Sequence, residues 1–196
     1  MPADVDPVVE VREAAASDAA SCAAVYRPWV EDTTVSFEDV APDAAEMARR
    51  MASAIDWLVA VTPEGQVVGY AYASAHRERA AYRFACDVSV YLAPSARGRG
   101  IGSSLYAALL DRVEARGFRM ACAGITLPNP ASEALHRAWG FEEVGVYRRI
   151  GWKRGAWHDV RWLQRPLGGD ETPPREPETD RVFRAVAGST RRTASR

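Results

Sequence analysis

The sequence predicts a mixed α/β domain with one central sheet and helices on its faces. Three observations favour this fold class. The chain has 196 residues, the size of one ordinary domain with an additional tail. Hydrophobic residues make up 47% and charged residues 26%, which is typical of a globular protein. Strand and helix patterns also alternate along the chain, as they do in sheets covered by helices.

The first half of the chain predicts three strands and two helices. A β-branched run indicates the first strand, and a Ser-Asp pair is a plausible cap for an Ala-rich helix. The elements are a strand at Val8–Val11, a helix from Ser17-Asp18 to about Tyr26, a helix from Pro42-Asp43 to about Ala54, and strands at Trp57–Val61 and Val67–Ala75 around the turn Pro63-Glu64-Gly65.

The second half predicts four strands and two helices. The long helix carries an apolar stripe of Ile101, Leu105, Leu109 and Val113 and ends before Gly117. The other elements are strands at about Ala85–Leu92 and Met120–Thr126, a helix from Asn129-Pro130 to near Trp139-Gly140, and strands at about Glu142–Ile150 and Asp159–Gln164.

The composition divides the chain into three parts. Residues 1–7 form an N-terminal extension and residues 8–167 form the folded domain. Residues 168–196 are rich in Pro, Gly, Thr and charge, so we expect a disordered tail. A short docking helix around Asp180–Ala187 is the alternative for part of this tail.

Charge and cysteine content exclude several classes of protein. Lys and Arg total 25 against 26 Asp and Glu, so the net charge of -1 argues against binding to nucleic acid through bulk charge. No apolar run approaches the roughly 20 residues that span a bilayer, and the N-terminus has no signal-peptide core. Three scattered cysteines, Cys22, Cys86 and Cys122, favour a reduced, cytoplasmic protein, and neither they nor the three histidines have the spacing of metal ligands.

A glycine-rich loop between a strand and the long helix predicts a pyrophosphate site. Its sequence is Arg97-Gly-Arg-Gly-Ile-Gly102, and the glycines let the backbone approach a ligand closely. The helix that follows presents unpaired N–H groups and the positive end of its dipole. A Walker P-loop is excluded because Lys153, the only lysine, lies far downstream, and a dinucleotide fingerprint would need a different glycine spacing. Coenzyme A is the third possible ligand.

The pattern Arg97-x-x-Gly100-x-Gly102 resembles the pyrophosphate loop of the GNAT acetyltransferases. A helix opened by Asn129 and closed by Trp139-Gly140-Phe141 is similar to the same family. The resemblance covers about residues 8–167. It implies the GNAT fold, which is a mixed, mostly antiparallel sheet with helices on both faces, and acetyl-CoA as co-substrate.

Five further blocks resemble the phosphinothricin N-acetyltransferases and their methionine sulfoximine and sulfone-acetylating relatives. They are Tyr26-x-Pro28-x-Val30-Glu31-x-Thr33-x-x-Ser36-Phe37-Glu38, Arg79-x-x-Tyr82, Ala123–Asn129, Ser132-x-x-Leu135-His136, and Gly151-Trp152-Lys153-x-Gly155-x-Trp157-His158-Asp159-Val160. This resemblance implies acetyl transfer to the α-amine of a small amino-acid-like compound, a role in detoxification or resistance, and a homodimer.

The same resemblance suggests roles for particular residues. Period-two alternation places Asp87, Ser89 and Tyr91 on one face of their strand, and Asp87 aligns with the family's base, usually a glutamate. Because aspartate is one methylene shorter, we expect relay through a water. The structural alternative is an aspartate that acts as a cap or pairs with Arg83. His136 stands where many GNAT proteins carry a tyrosine that protonates the coenzyme A thiolate, although a packing role is equally open.

Two sets of binding residues follow. The expected cofactor-binding residues are main-chain groups of Val90, Tyr91 and Leu92, the loop residues Arg97, Gly98, Arg99, Gly100, Ile101 and Gly102, and Asn129, which also fits a helix cap. The expected substrate-binding residues are Arg77, Arg79 and Tyr82, suited to anionic groups, and Phe37 as a pocket wall. The alternatives are a solvated charged loop for the arginines and a core position for Phe37.

Three other functions stay open at this point. A GNAT enzyme acting on a polyamine or a protein N-terminus would share most of these motifs. A non-catalytic sensor of acetyl-CoA would share the cofactor loop. An oligonucleotide-binding protein is disfavoured by the balanced charge.

Overall fold

The computed structural model describes residues 9–169 and 171–178. Its strands and α-helices are β1 (Glu10–Glu13), α1 (Ala19–Glu31), α2 (Ala44–Ser53), β2 (Asp56–Val61), β3 (Val67–Ala75), β4 (Ala85–Leu92), α3 (Ile101–Ala115), β5 (Met120–Thr126), α4 (Pro130–Ala138), β6 (Glu142–Lys153) and β7 (Ala156–Pro166). Among these residues, no helix is both long enough and apolar enough to cross a bilayer.

The strands form one sheet in the order β1-β2-β3-β4-β5-β7-β6. Every neighbouring pair is antiparallel except β4 and β5, which run parallel. Helix α3 packs on one face of the sheet, and α1 and α2 pack on the other. The predicted fold class, a mixed and mostly antiparallel sheet with helices on both faces, is confirmed.

The alternation of side chains along the central strands divides the core into two layers. Leu58 of β2 faces α3, whereas its neighbour Val59 faces α1 and α2. The predicted apolar stripe of α3 is buried throughout and fills the first layer. Packing from both layers holds the central strands in place and thereby fixes the positions of the ends of β4 and β5.

Helix α1 is longer than the sequence predicts. The sequence predicts an end near Tyr26, and the nearby Pro28 has no backbone N–H, which disfavours a helix interior. The helix instead continues through Pro28 to Glu31, and the N–H of Asp32 donates to the Pro28 carbonyl at 3.0 Å. The buried Val30 packs the last turn into the core, and this burial compensates for the missing bond.

Strands β6 and β7 also extend beyond their predicted ends. Lys153 pairs with Ala156, so only Arg154 and Gly155 form the turn of this hairpin. Both turn residues have positive φ, 52° and 76°, as a type I′ turn requires. Because arginine is an uncommon residue at such a position, Arg154-Gly155 is not a clear hairpin signal.

Part of the predicted tail lies against the domain. Glu176 pairs with Arg83, and Glu171 pairs with Arg119 at 2.7 Å. The N–H of Glu178 donates to the carbonyl of Arg116 at 2.7 Å. Residues 171–178 are therefore held by charged contacts that the composition does not reveal. Residues 1–8 and the helix considered at residues 180–187 lie outside the described residues.

Candidate active site

The sheet has a gap between its two parallel strands. Strands β4 and β5 pair only from Ala85–Met120 to Asp87–Cys122 and then separate, although β4 continues to Leu92 and β5 to Thr126. A cavity of about 350 Å³ occupies the gap. Both strands, the start of α3 and helix α4 line it, so the sheet itself opens into a binding site.

Main-chain groups of β4 face this cavity. The N–H of Ala93 donates to Val68 in β3 at 2.8 Å. In an antiparallel ladder the bonded direction alternates with each residue, so Val90 and Leu92 direct their main-chain groups towards the gap. Tyr91 turns its main chain towards β3 instead, although the residue still lines the cavity, and its side chain packs edge-on against Tyr26. The Leu92 carbonyl accepts a bond from the indole N–H of Trp29 at 3.0 Å.

The glycine loop closes one end of the cavity. Gly98 and Gly100 have φ of 72° and 75°, a conformation that side chains rarely adopt. The N–H groups of Ser103 and Ser104 both donate to the Gly100 carbonyl, at 2.9 and 3.1 Å. The preceding N–H groups, those of Ile101 and Gly102, are the first-turn donors that a helix leaves for a ligand. Such an end suits a pyrophosphate.

Charged and aromatic groups flank the loop. The Arg97 guanidinium lies over the ring of Trp29, 4.1 Å from its centroid, and both residues line the cavity. Of the predicted cofactor residues, the structure places in the cavity wall Val90, Tyr91, Leu92, Arg97, Gly98, Gly100, Ile101, Gly102 and Asn129. Arg99 lies in the exposed part of the loop, outside that wall.

Helix α4 supplies the opposite wall and begins at a capped end. The side-chain oxygen of Asn129 accepts a bond from the N–H of Ser132 at 3.2 Å, as the cap interpretation predicts. Its amide group is still available to a ligand because the cap uses only the oxygen. Asn129 can therefore serve both expected roles.

His136 lines the cavity from α4 and is buried. Its Nδ1 lies 2.7 Å from the Ser132 carbonyl, which can only accept, so Nδ1 carries the proton. Its Nε2 lies 2.8 Å from the hydroxyl of Tyr106 and accepts from it. Burial lowers the pKa of His136 below its ordinary value of 6.5, which favours the neutral imidazole. Because Nε2 carries no proton in this form, the proton that this pair can deliver to the cavity is that of the Tyr106 hydroxyl. Sequence reasoning missed Tyr106 because it looked like core.

Asp87 has a partner that the sequence did not indicate. Its Oδ1 lies 2.7 Å from Nδ1 of His76, whereas Arg83, the expected alternative partner, pairs with Glu176. Burial raises the pKa of the Asp87 carboxyl, and the hydrogen bond from His76 and the charge of Arg77 offset part of that rise. His76 and Asp87 are eleven positions apart in the sequence, on either side of the β3–β4 connection, so no local sequence pattern predicts their contact.

The cavity reaches the face of the sheet that carries Asp87. Ser89 of β4 and Gly124 and Thr126 of β5 line the cavity, and the strand register places their side of the sheet on the Asp87 side. Ser89 lies two residues from Asp87, a separation of about 7 Å along a strand. Asp87 itself is not one of the lining residues, so an acceptor amine must lie between this end of the cavity and the Asp87 carboxyl to contact both.

The predicted substrate residues occupy two sides of this face. Arg77 lies over the ring of Trp162 at 5.7 Å, and Tyr82, 47% exposed, meets His76 edge-on. Arg79 precedes the short helical turn of residues 80–82 and is exposed. Phe37 is 40% exposed and lies on the β6–β7 side, with His158 as its ring neighbour at 6.3 Å. The structure thus brings Arg77 near Asp87 and Tyr82 against its partner His76, and it packs Phe37 against the β6–β7 hairpin.

Comparison with known proteins identifies the family. The family model described as "Acetyltransferase (GNAT) family" matches residues 23–141, more than half of the chain. The chain belongs to the GNAT acetyltransferase family. The predicted enzyme class, an acetyl-CoA-dependent N-acetyltransferase, is thereby confirmed.

Three relatives of this GNAT chain are informative. A phosphinothricin N-acetyltransferase of Alcaligenes faecalis is 42% identical over 84% of this chain and 86% of its own length. An L-methionine sulfoximine/L-methionine sulfone acetyltransferase of Pseudomonas paraeruginosa is 32% identical over 84% of this chain and 98% of its own. The crystal structure of a GNAT phosphinothricin acetyltransferase from Sinorhizobium meliloti, in complex with AcCoA, superposes with a TM-score of 0.84 and is 42% identical, covering 89% of this chain and 98% of its own.

One side-chain cluster in this GNAT domain has the composition of a metal site. Among the described residues, the potential ligand atoms of His76, Asp87 and Cys122 lie within 4.8 Å of one another. Spacing along the sequence could not reveal this group because its members come from three different segments. The expectation that no metal is needed stays a prediction.

Proposed function

We propose that this enzyme transfers the acetyl group of acetyl-CoA to the α-amine of a small, anionic amino-acid-like compound. Phosphinothricin and methionine sulfoximine or sulfone are the lead substrates, and detoxification or resistance is the corresponding role. The relatives named for these reactions cover most of the chain and support this proposal. The observation that carries it is a continuous cavity from the glycine loop to the Asp87 face.

The cofactor end of this cavity uses main-chain groups. The N–H groups at the start of α3 and the arginines of the loop bind the pyrophosphate of acetyl-CoA. The main chains of Val90 and Leu92 hold the pantetheine arm along the unpaired edge of β4, with the amide of Asn129 on the other side. A β4 N–H at this edge polarises the thioester carbonyl and stabilises the oxyanion that develops on it.

The acceptor end uses side chains. An α-amine has a pKa near 8 or above, so a group on the protein must remove its proton before the nitrogen can attack. Asp87 belongs to that base, and His136, through its bond to Tyr106, belongs to the path that returns a proton to the coenzyme A sulfur. Arg77 and Arg79 bind the anionic groups of the substrate, and Tyr82 and Phe37 form the pocket walls.

We further propose a homodimer with the β6–β7 hairpin in its interface. Strand β6 is an edge strand of the sheet, and exposed edges favour pairing with another chain. Large apolar side chains are exposed on this hairpin: Val144, Tyr147, Ile150, Trp152 and Trp157. Light scattering of the purified protein should give twice the chain mass, and the Trp152→Glu variant should give the monomer mass. A wild-type monomer at micromolar concentration would contradict the dimer.

A cytoplasmic location and the domain limits complete the proposal. Three free and buried cysteines fit a reducing compartment. The catalytic domain spans residues 8–167, with residues 1–7 and 168–196 as accessory segments. A chain ending at residue 178 should retain the full acetylation rate, because its charged contacts with the domain are kept.

A panel of amines tests the function. Purified protein and acetyl-CoA are incubated with phosphinothricin, methionine sulfoximine, methionine sulfone, common amino acids, polyamines and peptides, and free thiol release is measured. We expect the highest kcat/KM for the first three compounds. Turnover of peptides or polyamines alone would contradict the substrate class, and acetyl-CoA binding without turnover of any amine would indicate a sensor.

A further inference from the structure

We propose that His76 is the general base of the acetylation reaction and that Asp87 is the residue that positions it. This inference rests on the proposed function and deepens it, since it names the atom that takes the proton from the acceptor amine. It departs from the expectation that the Asp87 carboxylate acts by itself.

The geometry of the pair favours this assignment. Nδ1 of His76 lies 2.7 Å from Oδ1 of Asp87, and a carboxylate can only accept in such a bond. The proton is therefore on Nδ1, and the lone pair of the neutral imidazole is on Nε2. Both side chains are partly buried, at 16% and 28% exposure, so each keeps some surface that a substrate can contact.

The packing around the imidazole holds it in one orientation. The ring meets Tyr82 edge-on at 5.9 Å and Trp162 edge-on at 6.3 Å. Trp162 comes from β7 and Tyr82 from the segment between β3 and β4, so two separate elements clamp the ring. A base that must accept a proton at one atom needs this kind of fixed orientation.

The chemistry of the groups points in the same direction. A general base works best when its pKa lies near the working pH, and imidazole meets this condition better than a carboxylate. Asp87 is also shorter than the glutamate expected from the family resemblance, and His76 already occupies one of its oxygens. A buried carboxylate bonded to Nδ1 instead stabilises the imidazolium that forms when Nε2 accepts a proton.

In the described part of the chain, three other titratable or charged residues surround His76 and Asp87. Arg77 follows His76 in the chain and its charge acts on Asp87. Cys122 of β5 lies beside both, and burial raises the pKa of its thiol to about 11, which favours the uncharged thiol at neutral pH. Tyr82 contributes its phenol ring. The charge on Arg77 suits an anionic substrate and disfavours a metal cation at the same place.

The acetyl transfer moves two protons and two electron pairs. Nε2 of His76 takes one proton from the substrate ammonium, and the freed lone pair forms a C–N bond to the thioester carbonyl carbon. The C–S bond then breaks, its electron pair leaves with the coenzyme A sulfur, and a second proton from the nitrogen ends on that sulfur. His76 returns to the neutral form by releasing its proton to solvent.

The test compares His76→Gln, His76→Asn and Asp87→Asn with wild type on the best acceptor found. We expect kcat/KM to fall by about 100-fold or more in both His76 variants, the contribution typical of general base catalysis. The dissociation constant of acetyl-CoA should change by less than twofold, which shows that the fold and cofactor site are intact. The pH profile of kcat/KM for Asp87→Asn should be shifted relative to that of wild type, because the variant has no carboxylate to stabilise the imidazolium.

A second acceptor separates base catalysis from positioning. An amine with a low pKa, such as trifluoroethylamine or hydroxylamine, is already neutral at pH 7 and needs no base. The His76 variants should lose at least tenfold less activity with such an acceptor than with an ordinary α-amine. Equal losses with both acceptors would overturn the proposal, as would full activity of His76→Gln together with an inactive Asp87→Asn.

Two further outcomes are distinguishable. If a chelator abolishes wild-type activity and Zn²⁺ restores it, the cluster of His76, Asp87 and Cys122 acts as a metal site and the proposal is wrong. If wild type acetylates none of the anionic amino-acid analogues, the proposed substrate class fails. The ratio of variant to wild type on another accepted amine still decides the role of His76.

Discussion

Lys153, the only lysine of the chain, shows how one side chain can hold a whole segment of the active site. Its Nζ donates to the carbonyls of Val30, Ser36 and Glu38 at 2.6, 2.8 and 2.9 Å, and the residue is only 8% exposed. These carbonyls belong to the end of α1 and to the loop that carries Phe37. Lys153 therefore joins the β6–β7 hairpin to one wall of the acceptor cleft.

Replacing this lysine should destabilise the fold. Lys153→Met keeps the chain length of the side chain but leaves three carbonyls without their charged donor. We expect the free energy of unfolding to fall by about 2–4 kcal/mol, the range for losing bonds to a buried charge. Urea denaturation measures this loss. Arg148→Met, at an exposed position of the same hairpin, is the control and should change the free energy of unfolding by less than about 0.5 kcal/mol. Equal effects of the two variants would contradict the role of Lys153.

Gly100 offers a second prediction at this scale. Gly100 and Gly65 both have positive φ, 75° and 84°, and both have open space where a Cβ would lie. Alanine at either position should therefore cost a similar backbone energy of about 1 kcal/mol. Only Gly100→Ala should also weaken acetyl-CoA binding, by about tenfold in calorimetry, because it alters the backbone at the pyrophosphate site. Equal acetyl-CoA affinity in the two variants would show that this loop does not bind the cofactor.

Local residue patterns predicted the site only in part. The glycine loop and Asn129 were predicted because turn and cap chemistry are written in a few consecutive residues. The partner of Asp87 was not, because His76 approaches it through the pairing of two strands. The bond between Tyr106 and His136 likewise joins two helices. Contacts of this kind depend on tertiary packing between distant segments, which local sequence patterns do not predict.

At the scale of elements, helix α4 combines a structural and a ligand-binding role at its first residue. Asn129→Ala removes the cap and should lower stability by about 1 kcal/mol, and it should also raise the KM for acetyl-CoA. Asn129→Asp retains the capping oxygen but has no amide donor. We expect this variant to keep wild-type stability and to show the raised KM. A normal KM in Asn129→Asp would mean that Asn129 acts as a cap alone.

The ends of β3, β4 and β5 agree with their prediction because strong apolar runs are bounded there by turn residues. The ends of α1 and of the β6–β7 hairpin do not agree. A proline inside α1 is tolerated because Val30 beyond it is buried, and the hairpin turn places Arg154 at an unusual φ of 52°. Propensity is thus a good guide to the centre of the sheet and a weaker one where packing overrides it.

At the scale of the whole molecule, the active site is a consequence of sheet topology. The single parallel pair, β4 and β5, lies in the middle of an otherwise antiparallel sheet, and its strands pair over only three positions. The sequence predicted both strands but not their separation, since the separation depends on how α3 and α4 fill the two sides. In the proposed binding mode, acetyl-CoA takes the place of the missing strand pairing, which explains why most of the proposed contacts are main-chain groups.

Two ion pairs, Arg12–Asp18 and Arg50–Glu38, should make the stability of the fold sensitive to acid. Hydrogen bonds from Arg12 lower the pKa of Asp18, although burial opposes them. Burial by itself would raise the pKa of Glu38, but bonds from Arg50 and Tyr26 outweigh it and lower that pKa below 4.5. In both cases the unfolded chain binds protons more readily than the folded one as the pH falls below about 4.5. The stabilisation is complete at neutral pH and is lost as the pH falls through the folded pKa values.

Thermal melts from pH 7 to pH 2.5 check this expectation against the double variant Arg12→Gln, Arg50→Gln. Wild type should have the higher Tm at pH 7, and the difference should shrink as the pH falls below 4.5, because the carboxylates that the arginines support become protonated. Asp87 acts with the opposite sign, since its raised pKa makes its protonation favour the folded state in acid. It is present in both proteins and cancels in the comparison. A Tm difference that stays constant down to pH 2.5 would mean that the two arginines stabilise the fold by packing rather than by charge.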